Sequence, residues 1–550
     1  HEAHLLRVLL SGKPGAVQPF PNAEPYARPT SLAAVPPEGI LTTNLGGHAS
    51  GYMDLVASSE PAAIRETWFD SKTGWNKGPA ESAPLFNLID AERAPVETRV
   101  IASSGNPVAI AHHVHAGLDG TTTKITAWAY MYSNGQWKPR PEFIPPIPIS
   151  SSAHDRPVRV LPADLNDDGN TDILAPTSGS GGFGTVLIGA ATGLNEEKSL
   201  APPIALSQRD HLDRGIRFVD IDSDGLPDLI YSRKGTDGQV LVCKRPDDIS
   251  EPHTSCAFRN TGSGWQKKPE WAISNPIAGD NISGNPIQFV DINSDGYIDA
   301  LYSYRGGDGA VQAVYLQNVS GDHLEAQLGP PLLTVLSAHP FAQHEVGDLG
   351  VRFLDVNGDG RADMLVGHLP KGATFSYQNC NSNPCEPTWS NFQPKAFIND
   401  GHSLVPDAGY APKVPLAGYP QISENSPSKY AFDLDVQIVD VDGDRLPDLV
   451  AFNKYLQSSG LGAPEHLKIV YRNTGKGWVA SRELTAALEK AAGDGMPSFD
   501  EAIRDRRMMI QWTDLNGDGH ADMFVGKRGA SGEWLGTGAG WQRAPADRWN

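Results

Sequence analysis

The sequence predicts an all-β chain folded as a β-propeller of four-stranded blades, eight in number, with seven as the alternative. Three observations predict it. An acidic nine-residue loop recurs six times, short β-like segments flank each copy, and a TG turn followed by tryptophan closes several of the units. The loops start at Asp164, Asp220, Asp291, Asp355, Asp440 and Asp514, spaced by 56, 71, 64, 85 and 74 residues. A period near 70 with insertions is the mark of a repeat architecture, and 550 residues are too many for one simple core otherwise.

The loop from Asp220 reads DIDSDGLPD. Side-chain oxygens at its first, third, fifth and ninth positions converge, a glycine at the sixth lets the backbone bend, and the seventh carbonyl can point inward. Short carboxylates on a turning backbone suit calcium, which takes six to eight oxygens at irregular angles. The expected ligand sets are Asp164, Asn166, Asp168, Asn170 and Asp172; Asp220, Asp222, Asp224, Leu226 and Asp228; and Asp291, Asn293, Asp295, Tyr297 and Asp299. They continue with Asp355, Asn357, Asp359, Arg361 and Asp363; Asp440, Asp442, Asp444, Leu446 and Asp448; and Asp514, Asn516, Asp518, His520 and Asp522. Residues at the seventh position contribute only a carbonyl. Arg445 replaces the glycine of the fifth loop, so five to six Ca²⁺ ions are expected. An EF-hand would need a glutamate at the twelfth position and helices on both sides; here that position is Ala175, Tyr231, Tyr302, Val366, Ala451 or Val525.

Taken in order, residues 1–38 are rich in Pro and Ala and read as an irregular strap. Residues 39–150 lack the acidic loop but keep the tail of the unit, ending at Trp75 and Trp137, and read as two degenerate blades. Residues 151–550 hold the six loop-bearing blades. Within residues 216–268 the pattern is IRFVD, the loop, PDLIYSR, GQVLVCKR and FRNTGSGWQ, that is, short strands punctuated by turns. The alternative of seven blades treats the residues before about 90 as an extension. A Pro/Ser/Gly-rich surface loop is expected between Lys413 and Lys429. A helical pair is expected around 481–507, with Ser498 as an N-cap and Asp500 and Glu501 in the first turn.

The formal charge is −20, and 20 Asp occupy the four side-chain ligand positions of the six loops. Six Ca²⁺ ions would bring the charge to about −8, so the acidity is largely local to the loops, which argues against nucleic-acid partners. No apolar run approaches the ~20 residues of a membrane span, and HLLRVLLSG is too short for a complete signal peptide, as in a processed or trimmed chain. Cys243/Cys256 and Cys380/Cys385 fall as two close pairs, which suggests local disulfides and an oxidising compartment. Secretion, surface display or a periplasmic location is expected. Asn281 and Asn318 head N-x-S sequons.

The six D-x-[DN]-x-D loops between strands resemble FG-GAP/VCBS repeats, over residues 155–545. The family includes integrin-α-type propellers, secreted bacterial proteins, fungal lectins and toxin-complex propellers, and the TG-x-GW tails look most like the bacterial secreted or toxin-associated members. The resemblance implies loops between the first two strands of a blade, each tied by an ion.

Other candidates are fewer. His113 and His115 share one face of a strand and His112 the other, compatible with a metal, acid–base chemistry or plain structural histidines. His1 could bind copper were it a true terminus. Trp75, Trp137, Trp265, Trp478 and Trp541 could stack on sugars or pack between blades. No GxSxG, Walker A, HExxH or CxxC pattern occurs. The leading expectation is a non-enzymatic module binding a protein or glycan, part of a larger toxin-like or adhesion protein. The alternatives are a carbohydrate-active lyase or dehydratase, and a propeller lectin.

Overall fold

A computed structural model describes residues 40–43, 54–59, 64–71, 74–86, 99–104, 106–116, 123–147, 150–151, 161–175, 185–203, 215–232, 255–278, 284–327, 331–373, 375–377, 386–419, 421–423, 426–427, 431–453, 467–493, 495–499, 509–513, 520–526 and 532–543. The chain is an all-β propeller built from four-stranded antiparallel meanders in sequence order.

Blade 1 comprises Arg99–Ser103, Asn106–Ala116, Thr123–Ser133 and Gln136–Pro139. Blade 2 comprises Leu161–Ala163, Asp172–Ala175, Thr185–Ala190 and Gly193–Glu196, and blade 3 Ile216–Val219, Asp228–Ser232, Ser255–Asn260 and Trp265–Lys267. Blade 4 is Ile287–Val290, Asp299–Arg305, Val311–Val319 and His323–Ala326; blade 5 is Val351–Leu354, Asp363–Val366, Lys395–Asn399 and Leu404–Pro406. Blade 6 is Gln437–Val439, Asp448–Asn453, Leu467–Asn473 and Trp478–Ala480; blade 7 is Met509–Thr513, Asp522–Gly526, Gly532–Gly536 and Trp541–Arg543.

The propeller therefore counts seven blades, correcting the expectation of eight in favour of its alternative. The first of the two expected degenerate blades does form a four-stranded sheet, Ile40–Thr43, Asp54–Ser59, Ile64–Ser71 and Gly74–Lys77. It stands ahead of the seven and leads into blade 1 through the 3-10 turn Ala80–Ser82 and Phe86, which packs on Trp128 and Trp137. The difference between seven and eight is physical: a sheet counts as a blade through what its faces pack against. From blade 1 onward that packing is explicit. One core cluster joins Ile101 and Val108 of blade 1 to Ile173 and Leu187 of blade 2, and others join blades 3 and 4, 4 and 5, 5 and 6, and 6 and 7.

The core thus lies between blades, and it explains the strand sequences. A second strand has a neighbouring strand on each edge and a blade over each face, so it reads as a continuous buried run rather than an alternation. Asp448–Asn453 is buried at every position, and Asp299–Arg305 at all but the last.

Among the described residues two α-helices interrupt the meanders. Helix α1, Pro331–Ala338, follows blade 4 and buries Leu332 and Leu336 in the core shared with blade 5. Helix α2, Arg482–Gly493, matches the first half of the expected helical pair and buries Leu484 and Leu488 between blades 6 and 7. The second half, at 500–507, lies outside the described residues, as do the strap at 1–38, His1, Asn281, Cys243, Cys380 and Cys385. Cys256 is buried in the third strand of blade 3.

Candidate functional site: the acidic hairpins

Each acidic loop connects the first and second strands of its blade, in blades 2 to 7. Five are described; of the sixth, only His520 and Asp522 among the expected ligands are. Their geometry is built from the first carboxylate outward. Asp220 accepts the backbone N–H groups of Asp224 at 3.1 Å and Gly225 at 3.0 Å, one on each oxygen. Asp164 and Asp291 do the same with Asp168 and Gly169, and with Asp295 and Gly296. Asp355 holds Asp359 and Gly360 likewise. The fifth position then accepts the N–H of the seventh: Asp224 from Leu226, Asp168 from Asn170, Asp295 from Tyr297, Asp359 from Arg361 and Asp444 from Leu446. Wrapping backbone donors around short carboxylates is what a tight Asx-type turn requires.

The glycine at the sixth position has φ between 77° and 91° in the four described loops that carry it. Arg445 takes the same left-handed conformation at φ 72°, and its N–H donates to Asp440 at 2.7 Å. The fifth loop is therefore folded like its neighbours, and the arginine is tolerated at a cost of about 1–2 kcal/mol in backbone strain.

The ninth position is a buried anchor. Asp228 is 0 % exposed; one oxygen accepts the N–H of Ile221 in its own loop, the other that of Asn260 on the third strand. Asp172, Asp299, Asp363 and Asp448 repeat the arrangement with Leu165 and Gly189, Ile292 and Asn318, Val356 and Asn399, and Val441 and Asn473. Asp522 accepts from Gly536. Burial pushes the Asp228 carboxyl up to about 8 and those of Asp299 and Asp448 to about 7, against the pull of the two backbone donors.

The structure brings three carboxylates together at two loops. One oxygen from each of Asp220, Asp222 and Asp224 lies within 4.8 Å of the others, and Asp440, Asp442 and Asp444 match them. Oδ1 of Asp222 is buried with no hydrogen-bond partner. A converging set of carboxylate oxygens with one orphaned acceptor fits a hard divalent cation. Where the third position is asparagine, its Nδ2 donates to the fifth-position Oδ2: Asn166 to Asp168, Asn293 to Asp295 and Asn357 to Asp359, at 2.9–3.1 Å.

Sequence reasoning missed the asparagines that end the third strands. Asn260, Asn318, Asn399 and Asn473 each send Nδ2 to a carbonyl in the loop of the preceding blade, Leu165, Ile221, Ile292 and Val356, at 2.6–2.8 Å. The signal was present as RN-TG in blades 3 and 6. The acidic hairpins and the contacts between blades are thus one hydrogen-bonded structure. Asn318, read as a sequon, is 0 % exposed and fully committed to this link.

Among the described residues the remaining candidates do not assemble into a second site. His112 sets a ring nitrogen 2.6 Å from the Pro145 carbonyl; the side chains of His113 and His115 lie outside the described residues. Trp265 and Trp478 donate to the carbonyls of Leu200 and Tyr410 in the 3-10 turns that close the preceding blades, both at 2.7 Å. Trp541 is buried in the core between blades 6 and 7, and Trp137 is buried against Phe86 and Tyr132, whereas the Trp75 side chain is not described. Arg352, on the first strand of blade 5, is held by Asp348 and Asp433 at 2.9 and 2.8 Å, which ties it to the segment that precedes blade 6. Among the described residues no helix is long and apolar enough to cross a membrane.

No protein-family model matches the chain, and neither does any curated protein. Among solved structures, an Agrocybe aegerita lectin described as recognising non-reducing terminal N-acetylglucosamine is 12% identical, with 84% of this chain and 96% of that one covered and a TM-score of 0.44. The Photorhabdus luminescens Tc holotoxin pore is 12% identical over 93% of this chain and 20% of that one, TM-score 0.28. A Bombyx mori GH32 β-fructofuranosidase is 10% identical over 80% and 86%, TM-score 0.23.

Proposed function

We propose that this chain is a calcium-binding propeller of FG-GAP/VCBS type, secreted or displayed at a surface, that serves as a binding or scaffold module for a protein or glycan. The observation that supports it is the convergence of Asp220, Asp222 and Asp224 at a hairpin whose equivalents recur, blade after blade, at the same place. In this reading the side chains of the first, third and fifth positions hold the ion, with the ninth carboxylate behind them. The ion supplies positive charge to a turn of like charges that otherwise repel, so it secures the hairpin and, through the asparagine links, the contact between blades. The role of the ions is structural. The disulfides Cys243–Cys256 and Cys380–Cys385 belong to the same reading, as does an oxidising compartment.

The test is equilibrium dialysis against calcium with elemental analysis of the retained metal, and thermal melting in calcium and in EDTA. Five to six ions per chain and a lower melting temperature in EDTA are expected. A metal-free chain whose melt is the same in both buffers would refute the reading. For the ligand, glycan-array and protein-partner screens run in calcium and in EDTA are expected to give a calcium-dependent hit.

A further inference from the structure

Two loops carry aspartate at the third position, Asp222 and Asp442, and the other four carry asparagine. The same two blades, and no others of the six, carry arginine immediately before the third-strand residue that bonds the ninth aspartate. Arg259 precedes Asn260 and Arg472 precedes Asn473, whereas the matching residues elsewhere are Ile188, Gln317, Ile398 and Leu535. The structure shows why the two positions vary together. Arg259 lies 2.5 Å from Asp222 Oδ2 through Nε and 2.9 Å from Asp224 Oδ2 through a terminal nitrogen. Arg472 pairs with Asp442 Oδ2 through a terminal nitrogen.

Through its bond to Asp224 Oδ2, Arg259 stands where the asparagine amide stands in the three described asparagine loops. There, Nδ2 of the third residue donates to Oδ2 of the fifth. Replacing that amide by a carboxylate loses the donor and adds a negative charge beside two others. A guanidinium restores both, offering several donors in a fixed plane with one positive charge. Counting the four side-chain positions with the strand residue, every loop then carries the same formal charge of −3.

We propose that Arg259 and Arg472 are tethered counter-charges that hold the cation affinity of the two tri-aspartate loops level with that of the asparagine loops, and keep these two hairpins folded when no ion is bound. This rests on the cation reading above. Without the arginine, four carboxylates would bind a divalent ion more tightly and repel one another more strongly in its absence.

The experiment is a calcium titration of the full chain, followed by calorimetry and by thermal melting in EDTA, for wild type, R259Q, D222N and D222N/R259Q. R259Q is expected to tighten one calcium site by about tenfold, the scale of a unit charge near a divalent ion in a solvent-accessible loop, and to melt earlier in EDTA. D222N/R259Q, which recreates the asparagine type, is expected to return both readouts towards wild type. D222N alone leaves an unmatched guanidinium and is expected to weaken that site. R472Q serves as an independent copy, and Q317R, which adds the charge to an asparagine loop, is expected to weaken calcium binding in blade 4. Wild type insensitive to calcium would overturn the cation reading itself. A calcium-sensitive wild type with R259Q unchanged in affinity, or with no rescue in the double variant, would overturn this inference alone.

Discussion

Replacing Asn473 by alanine is expected to loosen the contact between blades 5 and 6 out of proportion to the atoms removed. Its Nδ2 donates to the Val356 carbonyl at 2.6 Å and approaches that of Pro447 at 3.3 Å, while Oδ1 accepts from Gly475 at 3.0 Å. Both Asn473 and Val356 are buried, at 1 % and 0 % exposure. The substitution therefore removes a direct bond and leaves a buried carbonyl without this donor. A buried polar group left unmade costs about 1–3 kcal/mol and an ordinary hydrogen bond nets about 1 kcal/mol, so the expected loss is about 2–4 kcal/mol. Gly475 is half-exposed and can turn to water, so it adds little. Urea unfolding followed by tryptophan fluorescence reads the change, because Trp478 sits at the same blade contact, bonded to Tyr410. A loss below about 0.5 kcal/mol, the range of an ordinary surface substitution, would refute the claim that this asparagine ties two blades together.

Arg445→Gly should stabilise the chain by about 1 kcal/mol, since φ 72° suits glycine and strains any other residue; a destabilised variant in the same unfolding assay would contradict the shared turn geometry. Burial and the Lys395 ammonium, 3.5 Å from Nε2, push the His339 imidazole down to about 4. The unfolded chain binds that proton near pH 6.5, so the contribution is complete above that pH and is lost as the pH falls towards 4, with a ceiling of about 3 kcal/mol. The difference in stability between wild type and His339→Gln should change across that window, and a parallel pair of pH profiles would rule the effect out. Expression in a glycosylating host should leave Asn318 unmodified, because its amide is committed to the Ile221 and Ile298 carbonyls; a glycan at Asn318 by mass spectrometry of folded protein would contradict the blade link.

Much of this architecture was legible because the acidic loop is a local motif whose spacing survives insertions. The loops lie between first and second strands as read, and the helix at Arg482–Gly493 follows from its amphipathic pattern and good helix formers. Helix α1 was not legible: Leu332, Val335 and Leu336 fall at helical spacing, but PLLTVLSA is an eight-residue apolar run too short to tell from a strand, and it forms because blades 4 and 5 leave a groove that Leu332 and Leu336 fill. Arg445 cast doubt on the fifth loop because glycine is the usual occupant of a left-handed position. The Asp440 carboxylate nevertheless holds the turn through the Arg445 N–H. The double role of the ninth aspartate was hidden for another reason. One of its partners, such as Asn260 for Asp228, lies more than thirty residues away, and the pairing exists only once the third strand is in register. The count of blades had the same limit, since TG-W tails mark a meander but do not say what its faces pack against.

The most direct test of the central claim is an anomalous difference map from crystals grown in calcium and measured at a long wavelength. The account predicts peaks inside the hairpins that begin at Asp164, Asp220, Asp291, Asp355 and Asp440, each bounded by the side chains of the first, third and fifth residues. Hairpins folded as described here but without a peak in any of them would contradict it.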